Sequence, residues 1–366
     1  MIPFLGIARQ YNNIREEILD ASDAVYTSGQ VLDGFFTQEF EDQIAKRCNR
    51  RFAVAVNSGT QALIFAQQSL AITGNVMIPA ISFVATLNSV IMAGNNPVIV
   101  DTDSNYLMNM YKASERLEQK DIAALMYVNL YGNVVDYGNM RTMMDLFYKK
   151  DDVKIIEDAA QSFGASYNGI PSGKLGDVSV LSFDPTKNLN NYGSGGMVLT
   201  DDPTVYADLR DIRDNGKYLG FVSTGTNSKM SESDCAQMLV KLKHFDSWQA
   251  RRREIAEFYT EYISEYVDPV LPGTGVEHAW HKYVITTKQR DIRDELAQYL
   301  GVHGVATKIH YENTLADYTF SGADYEYPPT ASMLCNNTLS LPIHPELTDL
   351  EVEYVAEKIV SFYTND

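Results

Sequence analysis

The spacing of apolar positions changes several times along the chain. Over 14–25 and 40–46 it is helical, with Gly29 and the Asp33-Gly34 turn signal between. From there on, short apolar runs alternate with helical patterns: 53–56, 60–68, 76–78, 85–93 and 98–101, then 122–127, 154–158, 178–183 and 197–200. Such alternation predicts an α/β fold, a mostly parallel sheet of seven strands covered by helices. Beyond Asp201 the pattern turns helical over 205–215 and 233–244, followed by a charged stretch over 247–266. The last third, with 283–287, 290–301 and 351–363, reads as a smaller α+β unit. The expected division is a large domain over 1–245, including the leading helical segment, and a linking helix with a small C-terminal domain over 246–366. There is no internal repeat and no low-complexity tract.

Composition narrows the function. The 366 residues are 45% hydrophobic, in the globular range, and long enough for two domains. A net charge of -18 disfavours nucleic acid and anionic membrane as partners, so an anionic ligand must be held by local groups. No charged residue occurs from Phe52 to Val100, but Asn57, Gly59, Gln67, Gly74, Pro79, Asn88 and Pro97 punctuate the stretch, which reads as interior rather than membrane-spanning. Cys48, Cys235 and Cys335 are far apart and suggest neither a disulfide framework nor a zinc site. With no signal-like N-terminus, a cytoplasmic location is expected.

Three segments could carry chemistry. Ala53-Val-Ala-Val-Asn57-Ser58-Gly59-Thr60 runs from an apolar strand through a polar turn into a helix, whose exposed amides and dipole could hold a phosphate. Alone, the turn reads more simply as an ordinary helix N-cap. Ile155-Ile156-Glu157-Asp158-Ala159-Ala160-Gln161 puts two carboxylates at the end of a buried strand, where open α/β sheets bind ligands. Such a carboxylate could pair with a cationic ring nitrogen, or cap a helix. Lys187 sits just past the strand over 178–183, ahead of Gly193, Gly195 and Gly196. A lysine whose pKa is lowered by burial or a neighbouring cation can form an imine with a carbonyl and then shuttle protons; a surface lysine beside a glycine turn is the bland alternative.

The order of these segments resembles that of fold-type I pyridoxal-phosphate aminotransferases. More narrowly, the chain resembles the DegT/DnrJ/EryC1/StrS sugar aminotransferases, from Ile2-Pro-Phe-Leu and Ser28-Gly-Gln to Ser340-Leu-Pro-Ile-His344. Between them stand Asn57-Ser-Gly-Thr-x-Ala-Leu63, Ser82-Phe-Val-Ala-Thr86, Glu157-Asp-Ala-Ala-Gln-Ser162 and Ser182-Phe-x-Pro-Thr-Lys187. The resemblance implies a pyridoxal 5'-phosphate cofactor held by Lys187 as a Schiff base, with Asp158 at the pyridinium nitrogen. It further implies Gly59, Thr60 and Ser182 at the phosphate, Phe83 on the ring and Gln161 beside the ring and its phenolic oxygen. Phe83 also has a plain reading as a core aromatic. Asn227 is the counterpart of an asparagine that reaches a neighbouring subunit's phosphate, so a homodimer is expected. Gly225-Thr-Asn-Ser-Lys-Met230 keeps Gly225, Asn227 and Met230 but replaces the family's two aromatics and arginine, and Ser194 stands where the family has an acidic residue. His310-Tyr311 matches a segment near the active site and is a candidate substrate contact.

The expected reaction is transfer of an amino group from an amino acid, L-glutamate by resemblance, to a nucleotide-linked keto sugar. The N-terminal Ile2-Pro-Phe-Leu with Tyr11 and Ile14, and Pro185 with Asn188-Leu189, incline the expectation to C3 of a dTDP-3-keto-6-deoxyhexose, with C4 amination as the alternative. Related pyridoxamine-dependent dehydratases carry histidine in place of Lys187, and a non-catalytic regulatory or binding relative is a third reading. Gly169-Ile-Pro-Ser-Gly-Lys174 is too short for a P-loop, no strand is followed by G-x-G-x-x-G, and His281, His303, His310 and His344 lack metal spacing.

Overall fold

The computed structural model describes residues 1–147, 153–221 and 223–364. The charge-free stretch supplies strands β1 (Phe52–Val56), β2 (Asn75–Pro79) and β3 (Asn96–Val100), and β4 (Ile122–Val128) and β5 (Lys154–Asp158) follow. Val178–Ser182 and Gly196–Thr200 complete the seven expected strands. Across the sheet the order is β1, Gly196–Thr200, Val178–Ser182, β5, β4, β2, β3. Gly196–Thr200 runs antiparallel to both its neighbours, and the other contacts among the seven are parallel. An eighth strand, Asp324–Tyr325, adds parallel to β3 from the C-terminal third. Two residues between Gly322 and Pro328 carry no periodicity, so the sequence pattern does not announce it.

Helices cover the sheet closely enough to exclude charge. Gly59–Ser69 starts where the Ser58 hydroxyl accepts from the Gln61 amide at 3.1 Å, and it buries Ala62 to Gln67. Its Gln67 is satisfied internally, donating to Leu63 O at 3.1 Å and accepting from Asn95 Nδ2 at 3.1 Å. This burial on both sides explains the uncharged 49-residue run from Phe52 to Val100.

The helical patterns over 233–244 and 247–266 form a single helix, Glu232–Ile263. No proline or glycine interrupts it, and Ser231 caps its start by accepting from the Asp234 amide at 3.1 Å. Its first half packs in the core with Phe40, Phe183 and Met197 through Cys235, Met238 and Phe245. Its second half packs in another core through Ile255, Tyr259 and Ile263, with Leu296, Leu339 and Val355. That second core surrounds a small antiparallel sheet of Asp268–Pro269, Tyr283–Thr286 and Thr338–Leu341. The expected boundary after 245 therefore falls inside a continuous helix. The chain also crosses back: Ile2 belongs to the second core and bridges Val305, while Asp324–Tyr325 joins the large sheet.

Alternation along β5 separates its two terminal carboxylates. Glu157 is fully buried and accepts from Asn129 Nδ2, the hydroxyls of Ser172 and Ser179, and the amides of Gly173 and Leu175, all between 2.7 and 3.0 Å. It ties the 172–179 segment to the sheet. Glu157→Ala would leave these buried donors unpaired and should destabilise the fold by about 3 kcal/mol or more in chemical denaturation; a loss under about 1 kcal/mol would contradict this role.

Candidate active site

At the carboxyl ends of β1, β2, β5 and Val178–Ser182 the chain leaves the sheet on one edge, opening a crevice there. A cavity of about 400 Å³ lies at this edge. Its sheet-side wall comprises Ser58, Gly59, Thr60, Ser82, Phe83, Thr86, Asp158, Gln161, Ser182 and Lys187. The opposite wall comes from the N-terminus and the second core, with Phe4, Leu5, His281, Lys282, Lys308, His310 and Tyr311. Gly59, Thr60, Phe83, Asp158, Gln161, Ser182, Lys187, His310 and Tyr311 are thus brought together from segments up to 252 residues apart. Asn227 does not line this cavity and is exposed. Its neighbour Ser228 accepts from the Asn57 amide at 2.8 Å, which sets the 225–230 segment beside the polar turn.

The turn after β1 is packed so that only glycine fits. A Cβ on Gly59 would come within 2.8 Å of Ser182 Cβ and 2.9 Å of its Oγ, and one on Gly196 would collide with the Ser58 carbonyl. The amides at the start of Gly59–Ser69 and the Ser182 hydroxyl therefore share a small, electropositive recess without side-chain bulk.

Asp158, on the face opposite Glu157, is 3% exposed. It accepts from Thr86 Oγ1 and from the Ala160 amide, both at 3.1 Å, and Thr86 is in turn paired with Ser82 at 2.7 Å. Burial raises its carboxyl pKa, against the Ala160 amide, the Lys187 charge and the Thr86 hydroxyl, which favour the carboxylate. Lys187 sits on a turn in which its amide donates to Asp184 O at 2.9 Å, while the Asp184 carboxylate takes the Thr186 amide and hydroxyl at 2.9 and 2.7 Å. Burial lowers the Lys187 pKa, opposed by Asp158 and Asp184. Its ammonium has no hydrogen bond or ion pair within the described residues. The result is an amine on a flexible stem whose proton is held less firmly, in one cavity with a buried carboxylate.

Gln161 joins the two walls: its Oε1 accepts from the Tyr131 amide at 3.0 Å, and its Nε2 donates to Tyr311 Oη at 3.0 Å. Burial raises the Tyr311 phenol. The His310 ring shares a 2.9 Å hydrogen bond with Ser340, and burial followed by the Lys282 and Lys308 charges pushes its pKa down to about 3, keeping it neutral. Phe83 is 53% exposed at the cavity mouth, its ring 6.1 Å from that of Tyr311, and so is not a core aromatic. Lys282, Lys308 and His281 carry no expected role at the site, and Phe4 is signalled only by the Ile2-Pro-Phe-Leu motif; the packing of the second core against the sheet edge brings all four to the cavity.

These residues suit pyridoxal phosphate: a recess for the phosphate, a buried carboxylate for the ring nitrogen, and a deprotonatable amine for the carbonyl. A mostly parallel sheet carrying these groups at its carboxyl edge, with a second core closing over them, defines the class of fold-type I pyridoxal-phosphate enzymes. Within it, the chain belongs to the DegT/DnrJ/EryC1/StrS aminotransferase family, whose model matches residues 12–360. It is 34% identical to the "Pleiotropic regulatory protein" of Geobacillus stearothermophilus, over 99% of this chain and 98% of that one. It is 31% identical to the dTDP-3-amino-3,6-dideoxy-alpha-D-galactopyranose transaminase of Aneurinibacillus thermoaerophilus, over 98% and 99%. Among solved structures, the Streptomyces venezuelae aminotransferase DesV, in complex with a ketimine intermediate, superimposes with a TM-score of 0.91 at 30% identity, covering 98% of this chain and 97% of that one. The family is a pyridoxal-phosphate-dependent aminotransferase family, and the relatives named as transaminases are named for nucleotide-linked amino sugars. No helix of the described residues is long and apolar enough to cross a membrane.

Because Asp158 favours the Lys187 ammonium, removing its charge should lower the lysine pKa further. In cofactor-free protein, pH-dependent acylation of Lys187 followed by mass spectrometry should titrate below the ordinary lysine value of about 10.4, and lower still in Asp158→Asn. An upward or absent shift in the variant would contradict the coupling.

Proposed function

We propose that the protein transfers the amino group of L-glutamate to C3 of a dTDP-linked 3-keto-6-deoxyhexose, working as a homodimer in the cytoplasm. The observation that carries the reading is the half-buried Lys187 and the buried Asp158 in one cavity with the glycine-lined recess at Gly59. The sugar position draws support from relatives named for 3-amino sugars, at 31% identity in Aneurinibacillus thermoaerophilus and 33% in Streptomyces venezuelae. A non-catalytic regulatory role takes its support from the name of the Geobacillus relative. Against it stands the cavity-lining amine of Lys187, which a mere binder would not need.

Pyridoxal phosphate, when bound, supplies a carbonyl that condenses with amines and a ring that accepts an electron pair from the amino-bearing carbon. The protein's residues do the rest. The Gly59 and Thr60 amides with the Ser182 hydroxyl would hold the phosphate, and Phe83 would pack on the ring. Asp158, kept in place by Thr86 and Ala160, would accept a hydrogen bond from the ring nitrogen and keep it protonated. Gln161 would lie beside the phenolic oxygen. Lys187 would hold the carbonyl through its amine and, when that amine is free, would move a proton at the amino-bearing carbon as base and acid. Release of the keto acid precedes binding of the sugar, and the same lysine serves the reverse sequence, a ping-pong order.

Apolar side chains exposed on either side of Asn227 support the dimer: Val31, Leu32 and Phe35, whose segment bridges Ser231, and Tyr218, Leu219 and Phe221. Asn227 would reach from this face to the partner's phosphate. Sedimentation should show a dimer, and Asn227→Ala should retain cofactor less well; a monomer with full activity would rule the contact out.

With glutamate alone, cofactor-loaded protein should release one 2-oxoglutarate per subunit and stop, then turn over when keto-sugar nucleotide is added, with the product's amine at C3 by NMR. Lys187→Ala should lose at least about a thousandfold in rate. No stoichiometric release would contradict the transferase reading, and an amine at C4 would contradict the sugar position.

A further inference from the structure

We propose that Lys282 and Lys308 form an oxyanion subsite that takes a carboxylate of the amino-acid donor. The proposal rests on the aminotransferase reading and deepens it, naming residues that select the donor.

Lys282 is only 5% exposed and lines the cavity just ahead of the strand Tyr283–Thr286. It has no carboxylate within ion-pair distance among the described residues. A buried ammonium in that state is poorly compensated. Burial pushes its pKa well below the ordinary lysine value, the Lys187, Arg252 and Lys308 charges push the same way and the Asp184 carboxylate opposes them, so an anion bound beside it would favour its charged form. Lys308 also lines the cavity and is held in register, its amide donating to Ser340 O at 3.2 Å and its carbonyl accepting from the Ser340 amide at 2.7 Å. The two ammonium groups converge on one ring, lying 5.2 and 5.4 Å from the centroid of Phe4. Two cations held beside the same apolar ring, one of them buried, make a site for a negative oxygen pair.

The position of the pair indicates the ligand. The recess suited to the cofactor phosphate is built from Gly59 and Ser182 on the sheet-side wall, whereas Lys282 and Lys308 belong to the opposite wall. An anion between them therefore comes from a substrate. Lys187 lines the same cavity as Lys282, so an anion held there shares one space with the reacting amine. An amino acid carries a carboxylate one bond from its reacting carbon, whereas the diphosphate of a nucleotide sugar is separated from the reacting carbon by the sugar ring. Proximity favours the donor.

The test uses cofactor-loaded protein and calorimetry with three probes: glutarate, an unreactive dicarboxylate; its uncharged diamide; and UDP. Glutarate should bind, weaken with added salt, and lose about tenfold or more in affinity in Lys282→Met and in the exposed-site variant Lys308→Met, while Lys282→Arg recovers most of it. The diamide should bind weakly and be indifferent to all three substitutions. Thermal melting identifies any variant that fails to fold, and Lys308→Met alone then decides. Equal glutarate affinity in wild type and folded variants would overturn the subsite, and loss confined to UDP would overturn its assignment to the donor. Failure of the aminotransferase reading is seen separately, as no 2-oxoglutarate release from glutamate by the wild type.

Discussion

The structure depends on the opposite facing of two adjacent carboxylates at the end of one buried strand. Glu157 turns away from the cavity and collects five hydrogen bonds that lock the 172–179 segment to the sheet. Asp158 turns into the cavity and, among the described residues, its carboxylate has only Thr86 and the Ala160 amide as hydrogen-bond partners. Strand geometry imposes this division, since successive side chains point to opposite faces. One carboxylate is spent on holding the fold, and the other is left with capacity to receive a cationic group. The recess at Gly59, the turn at Lys187 and the wall formed by the second core are all arranged around that remaining capacity.

Electrostatics inside the cavity run against the chain as a whole. A protein of net charge -18 gathers Lys187, Lys282 and Lys308 around one space, with Asp158 and Asp184 as the acidic counterweight. Burial sharpens every interaction there, because fewer waters screen it. It favours the neutral amine of Lys187, keeps His310 neutral, and leaves Lys282 in want of an anion. The negative exterior and cationic pocket suit a protein that discriminates among small anionic substrates.

The parts legible in the sequence are those whose signal is local. Seven of the eight strands of the large sheet arise from short apolar runs, and the segments 57–60, 155–161 and 182–187 each combine a strand end with the groups that follow it. Less legible is whatever arises when distant segments meet. Phe4, His281, Lys282 and Lys308 have no common motif and become neighbours only because the second core folds over the sheet edge. Asp324–Tyr325 is too short for periodicity, and the charged residues after His244 suggested a break that the continuous helix Glu232–Ile263 does not have. Exposure of Phe83 likewise follows from the cavity mouth and not from its apolar neighbours in sequence.

The central claim is that Lys187 holds the cofactor through its amine. The most direct measurement is to load the protein with pyridoxal phosphate, reduce it with borohydride, digest it and locate the attached cofactor by peptide mass spectrometry. A single modified peptide carrying the cofactor on Lys187, absent from the Lys187→Ala protein, is the predicted result. Attachment to Lys282, Lys308 or another lysine in the unaltered protein, or no covalent attachment at all, would contradict it.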